Sequence, residues 1–191
     1  IDTNPKTYPL GYDSEANWFI TMCEQNGWGY TSAQEPHYLF NNAGAQGWLE
    51  SLADYYDKGY LTTQAAYGSY TSNLFVKGIE TGVAFSIGSS GGASHQLPAN
   101  GLFDWGVAKI PGSVQSDGSV VYKAISQGPS LVMFYEDCEN SEEKALMTWE
   151  FVKLLLEPEF LAAYSIASGY NPPRKSTFCL IVKLAVEYKY C

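Results

Sequence analysis

The run Gly88-Ser89-Ser90-Gly91-Gly92 is the part of this chain whose residue types could do chemistry. It follows the apolar stretch Gly82 to Ile87 and spells Gly-x-Ser-x-Gly, the pattern in which a sharp strand-to-helix turn presents a nucleophilic serine, here Ser90. Such a serine needs a base to take its proton, and in that fold the histidine lies far downstream. The histidines here are His37 and His95, the first upstream and the second close behind the serine. A serine hydrolase using Ser90 is therefore the alternative and not the main reading. The same loop has a non-covalent use, because small residues let backbone N–H groups approach a guest closely and a helix start adds partial positive charge. Hydroxyl or anionic oxygens would suit it, with a tight turn that holds no guest as the alternative.

Other chemistries find less support. The chain has no Gly-Lys-Ser/Thr and no Gly-x-Gly-x-x-Gly, so nucleotide cofactors lack their usual cradle. The cysteines, Cys23, Cys138, Cys179 and Cys191, form no Cys-x-x-Cys pair, and two histidines are too few to complete a tetrahedral zinc site. No cofactor and no metal is expected, and both disulfides and free thiols stay open. Glu136-Asp137 and Glu142-Glu143 are consecutive acids that read as solvated charge, and His95 alone reads as a helix or surface residue and not as a ligand. Fifteen tyrosines and five tryptophans supply flat faces with polar tips that suit stacking on sugar rings. Many of them must be core, Trp48 and Trp149 above all.

The composition fits a folded, non-nucleic-acid-binding chain. Of 191 residues 46% are hydrophobic and only 16% charged, the opposite of a chain that cannot collapse. Twenty acids against eleven bases leave a formal charge of -9, so the clustered Lys and Arg that grip phosphate backbones are missing. The apolar run Cys179 to Val182 ends at Lys183, far short of the roughly 18 residues that span a bilayer. The chain opens at Ile1 without a basic-then-apolar leader, so a signal peptide is expected to be removed or to lie outside this sequence.

The elements that must position the loop read as alternating strands and helices, an α/β arrangement. Pro9 to Tyr12 is a strand, and Asp13 or Ser14 caps a helix with Ala16, Phe19, Ile20 and Cys23 on its apolar face and Gly27 at its end. Ala45, Trp48, Leu49, Leu52, Ala53 and Tyr56 recur at helical spacing before Gly59. Asn73 to Lys77 is one helical turn and Gly82 to Ile87 a buried strand. Further strands are expected at Trp105 to Ile110, Val120 to Ser126 and Leu131 to Phe134, broken by Pro111-Gly112 and Gly128-Pro129. Helices follow at Ser141 to Leu156, capped by Ser141, and Pro158 to Ser168, stopped by Gly169. A last amphipathic stretch carries Phe178, Ile181, Ala185 and Tyr188 on one face, which is expected to dock.

Phe75-x-x-Gly78, the strand Gly82-Val83-Ala84-Phe85, the loop Ser89-Ser90-Gly91 and Gly106-Val107-Ala108-Lys109-Ile110-Pro111-Gly112 stand in a telling order. Gln127-Gly128-Pro129-Ser130, the helix Trp149 to Leu155, Glu157-Pro158-Glu159 and Gly169-Tyr170-Asn171-Pro172 continue it. The chain thereby resembles the extracellular solute-binding proteins, family 1, of ABC importers, and less specifically so back to Pro9. Within that family the serine loop and the Gly-Tyr-x-Pro turn look most like the glycerol-3-phosphate-binding members. The resemblance implies a periplasmic binding protein-like type II lobe, a mixed sheet flanked by helices, with the amino-terminal lobe largely missing. Residues 1–123 would be the carboxy-terminal lobe, and 124–191 a return segment that packs on the absent lobe, plus a tail that resembles nothing in the family from Phe178 on.

Carried over position by position, the resemblance implicates Ser89, Ser90, Gly91, Gly128 and Tyr170 in ligand contact. Gln127 replaces the first glycine of a Gly-Gly pair, and Arg174 departs from those members while offering an anion or hydroxyl contact. Tyr12, Asp13 and Ser14 are cleft candidates by position alone. The implied function is non-enzymatic: a fragment of a substrate-binding component that takes a carbohydrate or glycerol-phosphate solute to a membrane permease. Its place would be extracytoplasmic, in the periplasm or as a cell-surface lipoprotein. A third reading is an interaction domain that self-associates through an exposed apolar, lobe-facing surface.

Overall fold

A computed structural model describes residues 7–80, 82–99, 101–128, 130–133 and 140–188, with side chains described as far as 183. Pro129, Phe134, Glu136, Asp137, Cys138 and Cys191 lie outside the described residues, as do the side chains of Ala185 and Tyr188. The chain divides into two compact units, Ile1–Ser126 and Gln127–Cys191.

The first unit is organised by a three-stranded, wholly parallel sheet in the order β2-β1-β3, where β1 is Tyr8–Tyr12, β2 Leu61–Thr63 and β3 Val83–Ile87. It is parallel where the resemblance implied a mixed sheet. Two helices, α1 (Glu15–Asn26) and α2 (Ala43–Asp57), separate β1 from β2, and two short ones, α3 (Gln64–Tyr67) and α4 (Ser72–Phe75), separate β2 from β3. Parallel pairing requires such crossovers, since a tight turn can join only antiparallel neighbours. Leu10 faces Leu61 on one side and Phe85 on the other, and Tyr12 lies between Thr63 and Ile87. β2 was not foreseen: three residues behind Gly59-Tyr60 are too short for any periodicity to show.

The expected caps of α1 are present. Ser14 accepts a hydrogen bond from the Asn17 N–H at 3.3 Å, and Gly27 closes the helix in the left-handed conformation. The buried Gln25 secures the far end, its side-chain amide donating to the carbonyls of Pro111 and Lys123 at 3.0 and 2.8 Å while its oxygen accepts from Ser113 Oγ at 3.0 Å. These bonds tie the antiparallel hairpin of β4 (Ser113–Val114) and β5 (Val120–Val121) to α1. The longer strand expected to Ser126 is limited to those two residues. Trp105 to Ile110 and Leu131 to Met133 join no ladder among the described residues. Their apolar composition signals a preference for burial, which a strand needs, but pairing also requires a neighbour in register; Val107 is 88% exposed.

Only Val83 of β3 is buried, and Phe85 is 68% exposed, so this strand is not the buried one the sequence suggested. α4, a single turn whose Leu74 carbonyl crowds Gly82, covers the start of the strand, and beyond it the Ser86 hydroxyl is buried while Phe85 faces outward. The aromatic part of the core joins β1, α1 and α2, where Trp18 stacks on Tyr12 at 4.3 Å and meets Trp48 edge-on at 5.5 Å. Phe19 packs against Trp48, Phe40 and Tyr30, which extends the aromatic network into the loop before α2. Cys23, Ala45 and Leu61 are buried with it.

Glu15, in the first turn of α1, joins that helix to the start of α3. Its Oε1 accepts from the Ala65 N–H at 2.8 Å. Burial alone would raise its carboxyl, but hydrogen bonds from the Thr63 side chain and from the backbone outweigh burial and hold it below the usual carboxylate range. A depressed folded-state value stabilises above the ordinary range, and that contribution disappears as pH falls through the folded value. Acid titration of the wild type against Glu15→Gln should thus show the variant less stable at neutral pH, with the difference closing below about pH 4. Parallel acid profiles would contradict this.

The second unit is helical: α5 (Ser141–Leu155), α6 (Pro158–Ser168) and α7 (Lys175–Tyr188). Pro158 opens α6 and Gly169 ends it, as expected. Asn140, not Ser141, is the residue before the first turn of α5, in a left-handed conformation. α6 and α7 pack together and bury Leu161, Ala162 and Ser165 on one and Thr177 on the other. Phe178, expected on the docking face, is 56% exposed, because one residue along a helix turns the side chain by about 100° away from buried Thr177. Trp149 is half exposed as well, together with Leu146, Met147, Phe151 and Leu154 of α5, so the core role expected for it is not observed.

Candidate functional site

Parallel strands send their carboxyl ends to the same side, and where the chain leaves two neighbours in opposite directions the following loops part to leave a crevice. In the order β2-β1-β3 that point lies between β1 and β3, since the chain passes from β1 to β2 on one side and then crosses to β3 on the other. The residues that follow β1 are Asp13 and Ser14, and those that follow β3 are Gly88 to Gly91. The sheet thus brings Tyr12, Asp13, Ser14, Ser89, Ser90 and Gly91 to one edge of one unit.

Asp13 holds the two sides together. Its N–H donates to the Ile87 carbonyl at 2.9 Å, continuing the β1–β3 ladder by one rung. Its Oδ1 accepts from both the N–H and the hydroxyl of Thr71, at 2.7 and 2.8 Å. Thr71 is wholly buried and reaches this carboxylate because Gly11 has no side chain; a Cβ there would stand 2.7 Å from Thr71 Cβ. Asp13 Oδ2 is left over Gly88, where a Cβ would meet it at 3.0 Å and Gln96 Nε2 at 2.8 Å. Neither Thr71 nor Gln96 was singled out in the sequence, because their link to Asp13 is made through the sheet. Strand order, had it been known, would have pointed to both.

Ser14 takes a left-handed φ of 65°, uncommon for a residue with a side chain and a form of local strain that concentrates at functional positions. Ser89 opens a 3-10 helix, Ser90–Gln96, and its hydroxyl accepts from the Gly91 N–H at 3.2 Å. Ser89 and Ser90 are exposed and Gly91 half-buried. Tyr12 is 4% exposed with its ring committed to Trp18, so it forms the floor beneath the crevice and offers no ring face to a guest. Burial pushes its phenol up, against a hydrogen bond from Thr21 that lowers it.

The hydrolase alternative calls for a histidine beside Ser90. His37 Nε2 lies 3.1 Å from Glu35 and Nδ1 3.3 Å from the Ser32 carbonyl, both in its own loop. Among the described residues no hydrogen bond joins Ser90 to His37 or His95, and no cluster of His, Cys, Asp and Glu is placed to hold a metal ion.

The remaining candidates belong to the second unit. Tyr170 follows the end of α6, partly exposed, its N–H donating to Ser168 Oγ at 3.3 Å. Arg174 Nη1 donates to the Leu156 carbonyl at 2.6 Å, capping the junction between α5 and α6. Gln127 and Gly128 stand at the start of the unit, and a Cβ on Gly128 would meet nothing within 4 Å, so close backbone approach does not require glycine there.

Among known families, the bacterial extracellular solute-binding proteins match residues 3–178. No curated protein and no solved structure matches the chain. No helix among the described residues is long and apolar enough to cross a membrane.

Proposed function

The chain belongs to the family of bacterial extracellular solute-binding proteins, and from that premise we propose that it is a substrate-binding component of an ABC importer that holds its solute at the carboxyl edge of β1 and β3. The observation that carries this reading is Asp13, a carboxylate fixed by Thr71 with one oxygen still available over the glycine of the serine loop. Ser14, Ser89, Ser90 and the Gly91 backbone are the proposed partners around it. Gly128 and Tyr170 are proposed contacts on the strength of the family resemblance, and Gln127 and Arg174, which depart from its pattern, by their places in the sequence next to those motifs. The solute would be a carbohydrate or a glycerol-phosphate type molecule, released to a membrane permease outside the cytoplasm.

Calorimetric titration against maltose, trehalose, xylobiose, glycerol 3-phosphate and glucose 6-phosphate should give saturable binding to at least one. Heat of dilution alone across the whole panel would refute the reading. A serine-reactive phosphonate should leave Ser90 unlabelled, whereas stoichiometric labelling there would favour the hydrolase alternative.

A further inference from the structure

We propose that Thr71 is a positioning residue of the solute site: out of a solute's reach itself, it sets the direction of the Asp13 carboxylate and ties it to the serine loop through α4, so that affinity follows the Thr71 hydroxyl. The inference rests on the solute-binding reading above and adds to it a residue that the solute does not touch.

Thr71 is wholly buried, and its N–H and its hydroxyl both donate to one oxygen, Asp13 Oδ1, at 2.7 and 2.8 Å. Hydrogen bonds to an ionised acceptor are about twice as strong as neutral ones, and two of them from one residue onto one atom hold the carboxylate in a single direction. The bond from the Asp13 N–H to the Ile87 carbonyl fixes the backbone there and leaves the side chain free to turn. The carboxylate's aim therefore comes from Thr71.

Thr71 also begins α4, its carbonyl accepting from the N–H groups of Leu74 and Phe75 at 2.9 and 3.1 Å. α4 in turn packs against β3 and against the 3-10 helix that Ser89 opens. The contacts close a circuit: Asp13 to Thr71, Thr71 through α4 to β3, and the last residue of β3, Ile87, back to the Asp13 N–H. Both walls of the crevice hang on it, the Asp13-Ser14 turn on one side and the serine loop on the other.

The alternative is a pair that only holds the fold together, and the two halves of the threonine side chain separate the cases. Thr71→Val keeps the shape and loses the hydroxyl, whereas Thr71→Ser keeps the hydroxyl and loses the methyl. The full chain and both variants are melted by circular dichroism and titrated calorimetrically with maltose, trehalose, xylobiose, glycerol 3-phosphate and glucose 6-phosphate. For the solute that the wild type binds most tightly, Thr71→Val should weaken affinity at least about fivefold. Thr71→Ser should stay within about twofold of the wild type, although the small void left by its methyl lowers the melting midpoint. If Thr71→Val does not fold, Thr71→Cys, whose thiol is a weak donor, takes its place and should bind more weakly than Thr71→Ser. Affinities that fall in step with the midpoints, Thr71→Ser included, or a hydroxyl-free variant that binds as the wild type does, overturn the inference and leave solute binding standing. A wild type that binds no member of the panel overturns both.

Discussion

Gly82→Ala is expected to lose about 3 kcal/mol of stability, close to the upper end of what overpacking at one site ordinarily costs. An alanine Cβ there would fall 1.9 Å from the Leu74 carbonyl oxygen and 2.8 Å from that of Gly78. Both are backbone atoms, so neither can swing aside as a long side chain would. The Gly82 carbonyl accepts from the Tyr8 N–H at 3.1 Å and so begins the β1–β3 ladder. Relief of the clash must either unseat α4, which begins one residue after Thr71, or shift β3 against β1. Each alternative moves a wall of the crevice, so solute affinity should fall along with the urea midpoint. A variant that melts and binds as the wild type does would show that the α4–β3 contact is looser than described.

The second large effect is expected at Trp18. Its ring lies parallel to Tyr12, 5° apart in plane, and meets Trp48 at 76°, so it joins β1, α1 and α2 through one side chain. Truncating a large aromatic in such a position removes its buried area and leaves a void, for which Trp18→Ala should cost about 3–5 kcal/mol. Trp18→Phe keeps one ring in place and should recover most of that loss. Guanidinium unfolding followed by far-ultraviolet circular dichroism distinguishes the two variants, and equal midpoints for Ala and Phe would mean that the stack contributes little. Because Tyr12 ends β1 directly beneath Asp13, the alanine variant should also release the crevice floor.

How much of this was legible in the sequence depended on whether the determining partner lay near or far along the chain. The cap of α1 at Ser14, its stop at Gly27, and the whole of α6 between Pro158 and Gly169 are set by residues within one turn, and they were read correctly. β2 escaped because Leu-Thr-Thr has no room for alternation, although it completes the sheet that makes β1 central. The segment from Trp105 to Ile110 has the composition of a strand and no ladder among the described residues, since composition cannot report whether a neighbour is in register. The aromatic residues were expected partly as sugar platforms, yet Tyr12, Trp18, Phe19, Tyr30, Phe40 and Trp48 spend their faces on one another. For the crevice, the serine loop and the Asp13-Ser14 pair were visible by type and position. Thr71 and Gln96 were not, since it is the parallel sheet that carries them to Asp13.

One residue ties three parts of the first unit together: Asp13 reaches β3 through its N–H, Thr71 through its carboxylate, and α1 through its neighbour Ser14. A guest seated on the spare oxygen would therefore be wedged into the very joint on which the fold's cohesion depends. Heating the chain with and without a candidate molecule then becomes a label-free assay of occupancy, since a ligand at a hundred times its dissociation constant adds about 2.7 kcal/mol to the native state. Screening by melting curve would find the guest before its identity had to be guessed.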